Sequence, residues 1–370
     1  MAHATEWSEV VATTTAEYLK GASDTTIREH AAFRMLEKRR RIKFNQSGDE
    51  IRWQAKFSLP EVETYTGGAL DFSPSDKHRQ LYIDWRGYVV KDMLTEKERL
   101  MNRGAQALID RYARVFPDLE QSLRDTFSTE LYVDGLTYTD RFHGLETIFG
   151  DDSATVVGDL LARPSATYAG YSTTPGSSGA GAWSADGTAP NATLATDWPG
   201  GHGDPEYDWW SPKLWNWSSN AWGTSSTAWV DNCERVLRMA ILRARLGNGK
   251  AGAPDIGILE GSLYYDFINK MSAKVHINFP HAELKELGFP DSYNFDGVGL
   301  ITEFGVPAST GYLLNLDQME LLMMYDQLFT SKGPEWDIKT FSYLWALCTY
   351  GNFKYISPKY QTKLYPYAAS

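Results

Sequence analysis

From Leu94 to Gly135 the sequence reads LTEKERLMNRGAQALIDRYARVFPDLEQSLRDTFSTELYVDG, its longest stretch of helical periodicity. Thr95 with Glu98 three residues on is a capping box, which satisfies the first free N–H groups of a helix. Met101, Ala105, Leu108, Tyr112 and Val115 then step by fours and threes along one face, and Leu119, Leu123, Phe127 and Leu131 carry the stripe on at spacing four. Pro117 is expected to interrupt or kink the rod and is also well placed to restart a helix, while Gly135 ends it. At about 1.5 Å per residue the two segments would span roughly 55 Å, more than an ordinary domain needs. Such a rod is a strut with one apolar side, and the rest of the chain has to be arranged along it.

Upstream, Trp7, Val10, Val11 and Tyr18 mark a short amphipathic helix within residues 1–35, which read as an arm. From Arg41 the apolar period changes to two. Ile42 and Phe44, a turn at Ser47-Gly48-Asp49, and then Ile51, Trp53, Ala55 and Phe57 predict a strand hairpin. Residues 60–74 (PEVETYTGGALDFSP) are loop-like with Gly67-Gly68 at the tip, and residues 77–91 return as one long strand on which Leu81, Ile83 and Trp85 alternate. Strands running out and back around a polar tip make a two-stranded finger, marginal alone and expected to lie on a partner subunit.

Beyond the strut, residues 136–157 read as loop and short strand. Residues 163–223 are rich in Gly, Ser, Thr and Pro, and eight of the 13 tryptophans fall between Trp183 and Trp229, so few helices or strands are expected there. Ser225 to Leu246 is a second amphipathic helix with Val230, Cys233, Val236, Leu237, Ala240 and Ile241 inward. Ile256 to Leu259 is a short buried strand and Ser262 to Met271 a helix. Asn294 to Glu303 and Gly311 to Leu316 read as strands, residues 319–327 and 336–355 as central strands, and residues 357–367 as a tail. No internal repeat is visible.

The net charge of −11 argues against a general nucleic-acid binder, because phosphate binding needs clustered Lys and Arg. Only Arg34 to Lys43 (RMLEKRRRIK) is strongly basic, which fits a solvated face or a contact to an acidic neighbour. No run of eighteen apolar residues exists and no secretory signal is recognised, so neither membrane insertion nor export is expected. Cys233 and Cys348 stand far apart and read as buried small hydrophobes rather than a disulfide or thiolate metal site. Leu246-Gly247-Asn248-Gly249-Lys250 fails as a phosphate loop, with Ala244 where glycine is needed and Ala251 where Ser or Thr is needed. His3, His30, His78, His143, His202, His276 and His281 lack zinc-site spacing, and no Gly-x-Ser-x-Gly elbow occurs. No catalytic, cofactor-binding or metal residue is therefore assigned. The rival stretch is residues 204–217, where Asp204, Glu206 and Asp208 alternate with aromatic rings. Acids beside rings are how sugar-cleaving and sugar-binding sites are built, whereas anchoring of a long loop by buried rings is the structural alternative.

Several phrases, in this order, resemble the tailed-bacteriophage major capsid proteins of the Hong Kong 97-like fold. They are Ile51 to Phe57, the Tyr65-Thr66-Gly67-Gly68 tip, Leu81 to Gly87, the strut closing on Phe127 to Gly135, Tyr207 to Pro212, the helix from Ser225, Asp255 to Ile258, and Gly311 to Leu316. The resemblance implies an α+β fold with an N-terminal arm (1–45) and an extended two-stranded loop with its base strands (46–92). A peripheral domain follows, with the spine helix and a Trp/Gly-rich insertion (93–224), and then an axial domain with C-terminal strands (225–370). It implies a non-enzymatic subunit, made in the host cytoplasm, that self-assembles into pentamers and hexamers of an icosahedral virion shell. Double-stranded DNA held without sequence preference, a portal and a separate scaffolding protein are the further partners it implies. Contacts between subunits are expected at Arg39, Arg40, Arg41, Lys56, Glu61, Glu63, Tyr65 and Asp71. The lysine to asparagine cross-link of some members is not expected, because Lys56 has no matching partner motif. An encapsulin-type compartment would share the fold.

Overall fold

The computed structural model describes residues 30–56, 67, 78–101, 111–150, 156–157, 161–162, 164–173, 210–224, 226–245, 249–272, 281–289 and 292–366. The helix expected around Trp7 to Tyr18 and most of the Trp/Gly-rich stretch lie outside them. The described chain enters through helix α1 (Ala31–Lys38), whose Ala31, Ala32, Phe33, Met35 and Leu36 share a buried face. β1 (Ile42–Lys43) does not turn back on β2 (Ile51–Lys56), so the hairpin expected across Ser47-Gly48-Asp49 is absent. Asn45 N and Gln46 N instead donate to Tyr325 O and Met323 O (both 3.0 Å), and left-handed Asn45 (φ 55°) and Gly48 (φ 128°) redirect the chain to β2. β2 pairs antiparallel with β3 (His78–Ile83), Ile51 opposite Ile83 and Lys56 opposite His78. β4 (Arg86–Thr95) starts after a break at Asp84-Trp85, which splits the single long strand that periodicity predicts.

The strut begins after β4, because Leu94 is a strand residue. The capping box at the start of α2 (Glu96–Met101) forms as expected: Thr95 N donates to Glu98 Oε2 (2.9 Å) and Glu98 N to Thr95 Oγ1 (3.3 Å). α3 (Arg111–Glu130) runs through Pro117 without ending and stops at Glu130, ahead of Gly135. Val115, Leu119, Leu123, Phe127 and Leu131 are buried, as the stripe requires, but Leu100 and Met101 of α2 are exposed. The helix ends where its carbonyls meet a returning loop. Leu145 N donates to Leu131 O (2.6 Å), and a Cβ at Gly144 would overlap the carbonyl oxygens of Glu130 and Val133. Arg86 staples that loop by donating to the carbonyls of Gly135 (2.8 Å), Tyr138 (3.1 Å) and Arg141.

Next come α4 (Glu146–Phe149), β5 (Val156–Val157), β6 (Leu161–Ala162), the small hairpin β7 (Thr167–Tyr168) and β8 (Tyr171–Ser172), and β9 (Lys213–Asn216). β9 is fully buried, one of the few strands described in the stretch where few were expected. After it come α5 (Trp229–Arg245), β10 (Ile256–Leu259), α6 (Gly261–Ser272), α7 (Ala282–Glu286), β11 (Tyr293–Phe295), β12 (Val298–Thr302) and β13 (Gly311–Leu314). Val230 of α5 is exposed rather than inward. β11 and β12 are two strands where one was expected, joined by Asp296 (φ 48°) and Gly297 (φ 86°), a pair that turns a tight hairpin. β14 (Met319–Met323), β15 (Thr330–Asp337), β16 (Ser342–Tyr355) and β17 (Thr362–Tyr365) complete the described chain. The expected tail therefore contains a strand.

Eight strands form one sheet in the order β11-β12-β10-β13-β17-β9-β6-β5. Alternate residues of a strand face opposite sides, and here both sides are covered. Leu214, Ile256, Ile258, Ile301, Tyr312 and Leu314 enter one core, while Trp215, Leu259, Leu300, Leu313 and Leu364 enter a second core with α5 and α6. The second large sheet, of five strands, is built on β16, with β14 and β15 along one edge and β4 along the other; β1 extends it beyond β14. α3 packs on one face of this sheet. Phe127 stacks on Phe142 (5.1 Å) and Phe329 (5.4 Å) and meets Tyr88 of β4 edge-on (5.8 Å).

Candidate assembly surface

The basic run from Arg34 to Lys43 has acidic neighbours within its own chain. Arg39 donates to both carboxylate oxygens of Glu283 (3.1 and 2.9 Å) and lies 2.8 Å from Asp255. Burial opposes the Arg39 charge, but the two carboxylates prevail and raise its pKa, while the bond from Arg39 depresses that of Glu283. Lys38 pairs with Glu286 (2.8 Å) and Arg41 with Asp317 (2.5 Å). Glu320 accepts from Lys43 and from Lys354 (2.9 Å); burial works against its charge, yet the two lysines hold its pKa below the usual range. At the start of α1, His30 Nδ1 sits 3.3 Å from Glu303 Oε1 and Ala32 N donates to Glu303 Oε2 (3.1 Å), while His30 Nε2 is 3.6 Å from Asp125 of α3. These contacts fix α1 against both sheets and the strut.

The base of the β2–β3 ribbon lies on its own subunit. Trp53 meets Tyr168 at 6.2 Å, donates from Nε1 to Ile356 O (3.4 Å) and sits beneath Lys354 Nζ (5.5 Å from the ring). Ile51, Leu81 and Ile83 are buried on this side, as alternation predicts. Arg52, Gln54, Lys56, His78, Gln80 and Tyr82 are exposed on the other. Of the residues expected to touch neighbours, Lys56 ends β2, Arg40 is exposed with a left-handed φ of 54°, and Arg39 and Arg41 are engaged as above. Glu61, Glu63, Tyr65 and Asp71 lie outside the described residues.

Sequence reading did not identify the outward face of the five-stranded sheet. The register sets Met93 opposite Leu344, Lys91 opposite Ala346 and Val89 opposite Cys348, and these point away from α3. Val89, Met93, Leu344 and Tyr350 are exposed there, beside a groove of about 620 Å³ lined by Lys91, Met93, Lys332, Glu335 and Leu344. The period-two run Val89, Lys91, Met93 was the available signal. At the end of the sheet, Trp336, Ile338 and Phe341 are also exposed, around the β15–β16 turn.

The tryptophans speak for packing. Trp210, Trp215, Trp222 and Trp229 are buried, and Trp217 is half-buried with its Nε1 donating to Ser309 O (3.1 Å). The four buried rings offer no stacking face to a sugar; Trp183, Trp198, Trp209, Asp204, Glu206 and Asp208 lie outside the described residues. Burial, and then Arg86, push His143 down to about 4, so it packs as a neutral ring. Cys233 and Cys348 are buried and form no disulfide with each other. Among the described residues no group of three or more His, Cys, Asp and Glu could hold a metal ion, and no helix is long and apolar enough to cross a membrane.

No protein-family model matches the sequence, and no curated protein matches it. Solved structures do match the fold. The capsid asymmetric unit of cyanophage A-1(L) is 15% identical, with 96% of this chain and 97% of that chain covered at a TM-score of 0.57. The capsid of cyanophage P-SCSP1u is 10% identical, with 96% and 94% covered at 0.55. The holo-SrpI encapsulin complex from Synechococcus elongatus is 10% identical, with 98% of each chain covered at 0.50. Over 96% of its length this chain matches the Hong Kong 97-like fold found in the major capsid proteins of tailed bacteriophages.

Proposed function

We propose that the chain is a structural shell subunit that self-associates into pentamers and hexamers enclosing a phage genome, with no catalytic role. One observation carries this reading: the correspondence with phage capsid subunits is nearly complete in both directions, 96% and 97% for cyanophage A-1(L). The surface supports it. An exposed ribbon, a bare sheet face with Val89, Met93 and Leu344, and a hairpin tip with Ile338 and Phe341 are features that neighbouring subunits would cover. Lys56, Arg40 and the stretch with Glu61, Glu63, Tyr65 and Asp71 are assigned to those contacts, whereas Arg39 and Arg41 first hold the subunit together. A portal and a scaffolding protein are the partners this role calls for. An encapsulin-type compartment is the second reading, resting on the 98% mutual coverage with the SrpI encapsulin complex, at a lower TM-score (0.50) than the cyanophage capsids.

Sedimentation of the expressed protein tests the role. A shell subunit runs as particles of many copies, and nuclease-protected DNA inside them separates a genome container from an enzyme-filled compartment. A species that stays monomeric at every concentration rules both out.

A further inference from the structure

We propose that His30 is a pH-dependent latch on α1, holding that helix to the body while its ring is charged and loosening it as pH rises. The latch acts within one subunit and does not depend on the shell reading. His30 stands where residues 1–29 join α1, and its side chain is 6% exposed. Its two ring nitrogens face carboxylates from different parts of the fold. Nδ1 is 3.3 Å from Glu303 Oε1, just past β12, and Nε2 is 3.6 Å from Asp125 Oδ1 on α3. A neutral imidazole carries one N–H, so in either tautomer one of the carboxylates meets a nitrogen lone pair, whereas the imidazolium donates toward both. The Glu303 side chain is 1% exposed, so bulk water does not relieve that repulsion.

The other groups around the ring do not take over its charge. On α3, Arg124 pairs with Glu120 (3.0 Å), and both line the groove of about 310 Å³ between α1 and α3 that His30 borders. Arg34 of α1 lines the same groove and donates to Leu287 O (3.3 Å). Burial, and then Glu303, raise the pKa of Tyr132 well above its usual value, so this phenol stays neutral beside the carboxylate. Histidine is the side chain that changes charge between about pH 5 and pH 8. The clamp is complete while the ring is charged, and one of its two links turns repulsive as pH rises and the ring discharges. Because the apolar face of α1 stays buried in either state, the latch sets how often the helix opens rather than whether it is folded. A second histidine, His281, lies near Glu283, the partner of Arg39 just past α1, and serves as the control.

The test is amide hydrogen exchange of the full chain at about pH 5.5 and about pH 8.5, with each rate corrected for intrinsic exchange at that pH, α5 as internal reference, and the assembly state matched. Wild-type α1 is expected to lose about tenfold in protection relative to α5 at the higher pH. His30→Gln keeps a donor but carries no charge, and should give equal α1 protection at both pH values. His281→Gln should keep the wild-type loss. Asp125→Asn leaves His30 and the buried Glu303 in place and should shrink the loss. Equal protection of wild-type α1 at the two pH values overturns the proposal, as does a loss of wild-type size in His30→Gln. Should His30→Gln fail to fold, Asp125→Asn decides: a loss as large as that of wild type overturns the latch, and a smaller one supports it.

Discussion

Phe127 receives Phe33 from the arm helix, Tyr88 from β4, Phe142 from the loop after the strut and Phe329 from the approach to β15, all within 6.4 Å. Truncating it would open a cavity among four elements, so Phe127→Ala is expected to cost about 3–5 kcal/mol in urea unfolding. Asn232 does the same work with polar atoms, donating from Nδ2 to the carbonyls of Trp217 (2.9 Å), Ser219 (3.2 Å) and Ser226 (2.9 Å). The acid limb of stability is set by carboxylates such as Glu320 and Glu283, whose folded pKa values are depressed. A depressed carboxylate stabilises fully above its unfolded pKa, about 4.3 for Glu, and the benefit is lost as pH falls through the lower folded value. Glu320→Gln should therefore melt below wild type at neutral pH, with the gap closing below about pH 4 as wild-type Glu320 is protonated. A gap that stays constant from neutral pH into acid would mean that the two lysines contribute nothing through charge.

At the scale of elements, the strut is the sequence's clearest statement. The capping box and the stripe from Val115 to Leu131 were legible because both depend on residues three or four apart, whereas Met101, expected in the stripe, is exposed, and Ala105, Leu108 and the Tyr112 side chain lie outside what is described. Leu123 is fully buried in that stripe, and Leu123→Asp should sharply lower the yield of folded protein, since an unpaired charge there costs several kcal/mol. Equal yield and melting would place the stripe in solvent. β10 was legible to its ends because the run Ile256 to Leu259 is bounded by turn residues. The misses have different causes. α1 was obscured by the charges interleaved with Phe33, Met35 and Leu36. β17 shows little beyond Leu364, and becomes a strand through its pairing with β13 and β9. The Asp296-Gly297 turn was a readable signal. The ion pairs of Arg39 and Arg41 join residues more than 200 apart in sequence, so only the basic half could be recognised. For the ribbon, shortening the tip between Glu61 and Phe72 should leave folded subunits that fail to close shells; normal assembly of that variant removes the ribbon from the interface.

For the whole molecule, the eight-stranded sheet divides two cores, one shared with the strut and the five-stranded sheet and the other with α5 and α6. The five-stranded sheet gathers β1 and β4 from the early chain and β14, β15 and β16 from the late chain, so the two halves cannot fold apart. What this body leaves uncovered is a bare sheet face, a polar ribbon face and an apolar hairpin tip, and closure into a shell is the arrangement proposed to cover them. Electron microscopy of the purified full chain tests that claim directly. Closed particles whose averaged surface resolves rings of five and six subunits are the predicted result, and a field of separate 41.7 kDa subunits across concentration and salt would contradict it.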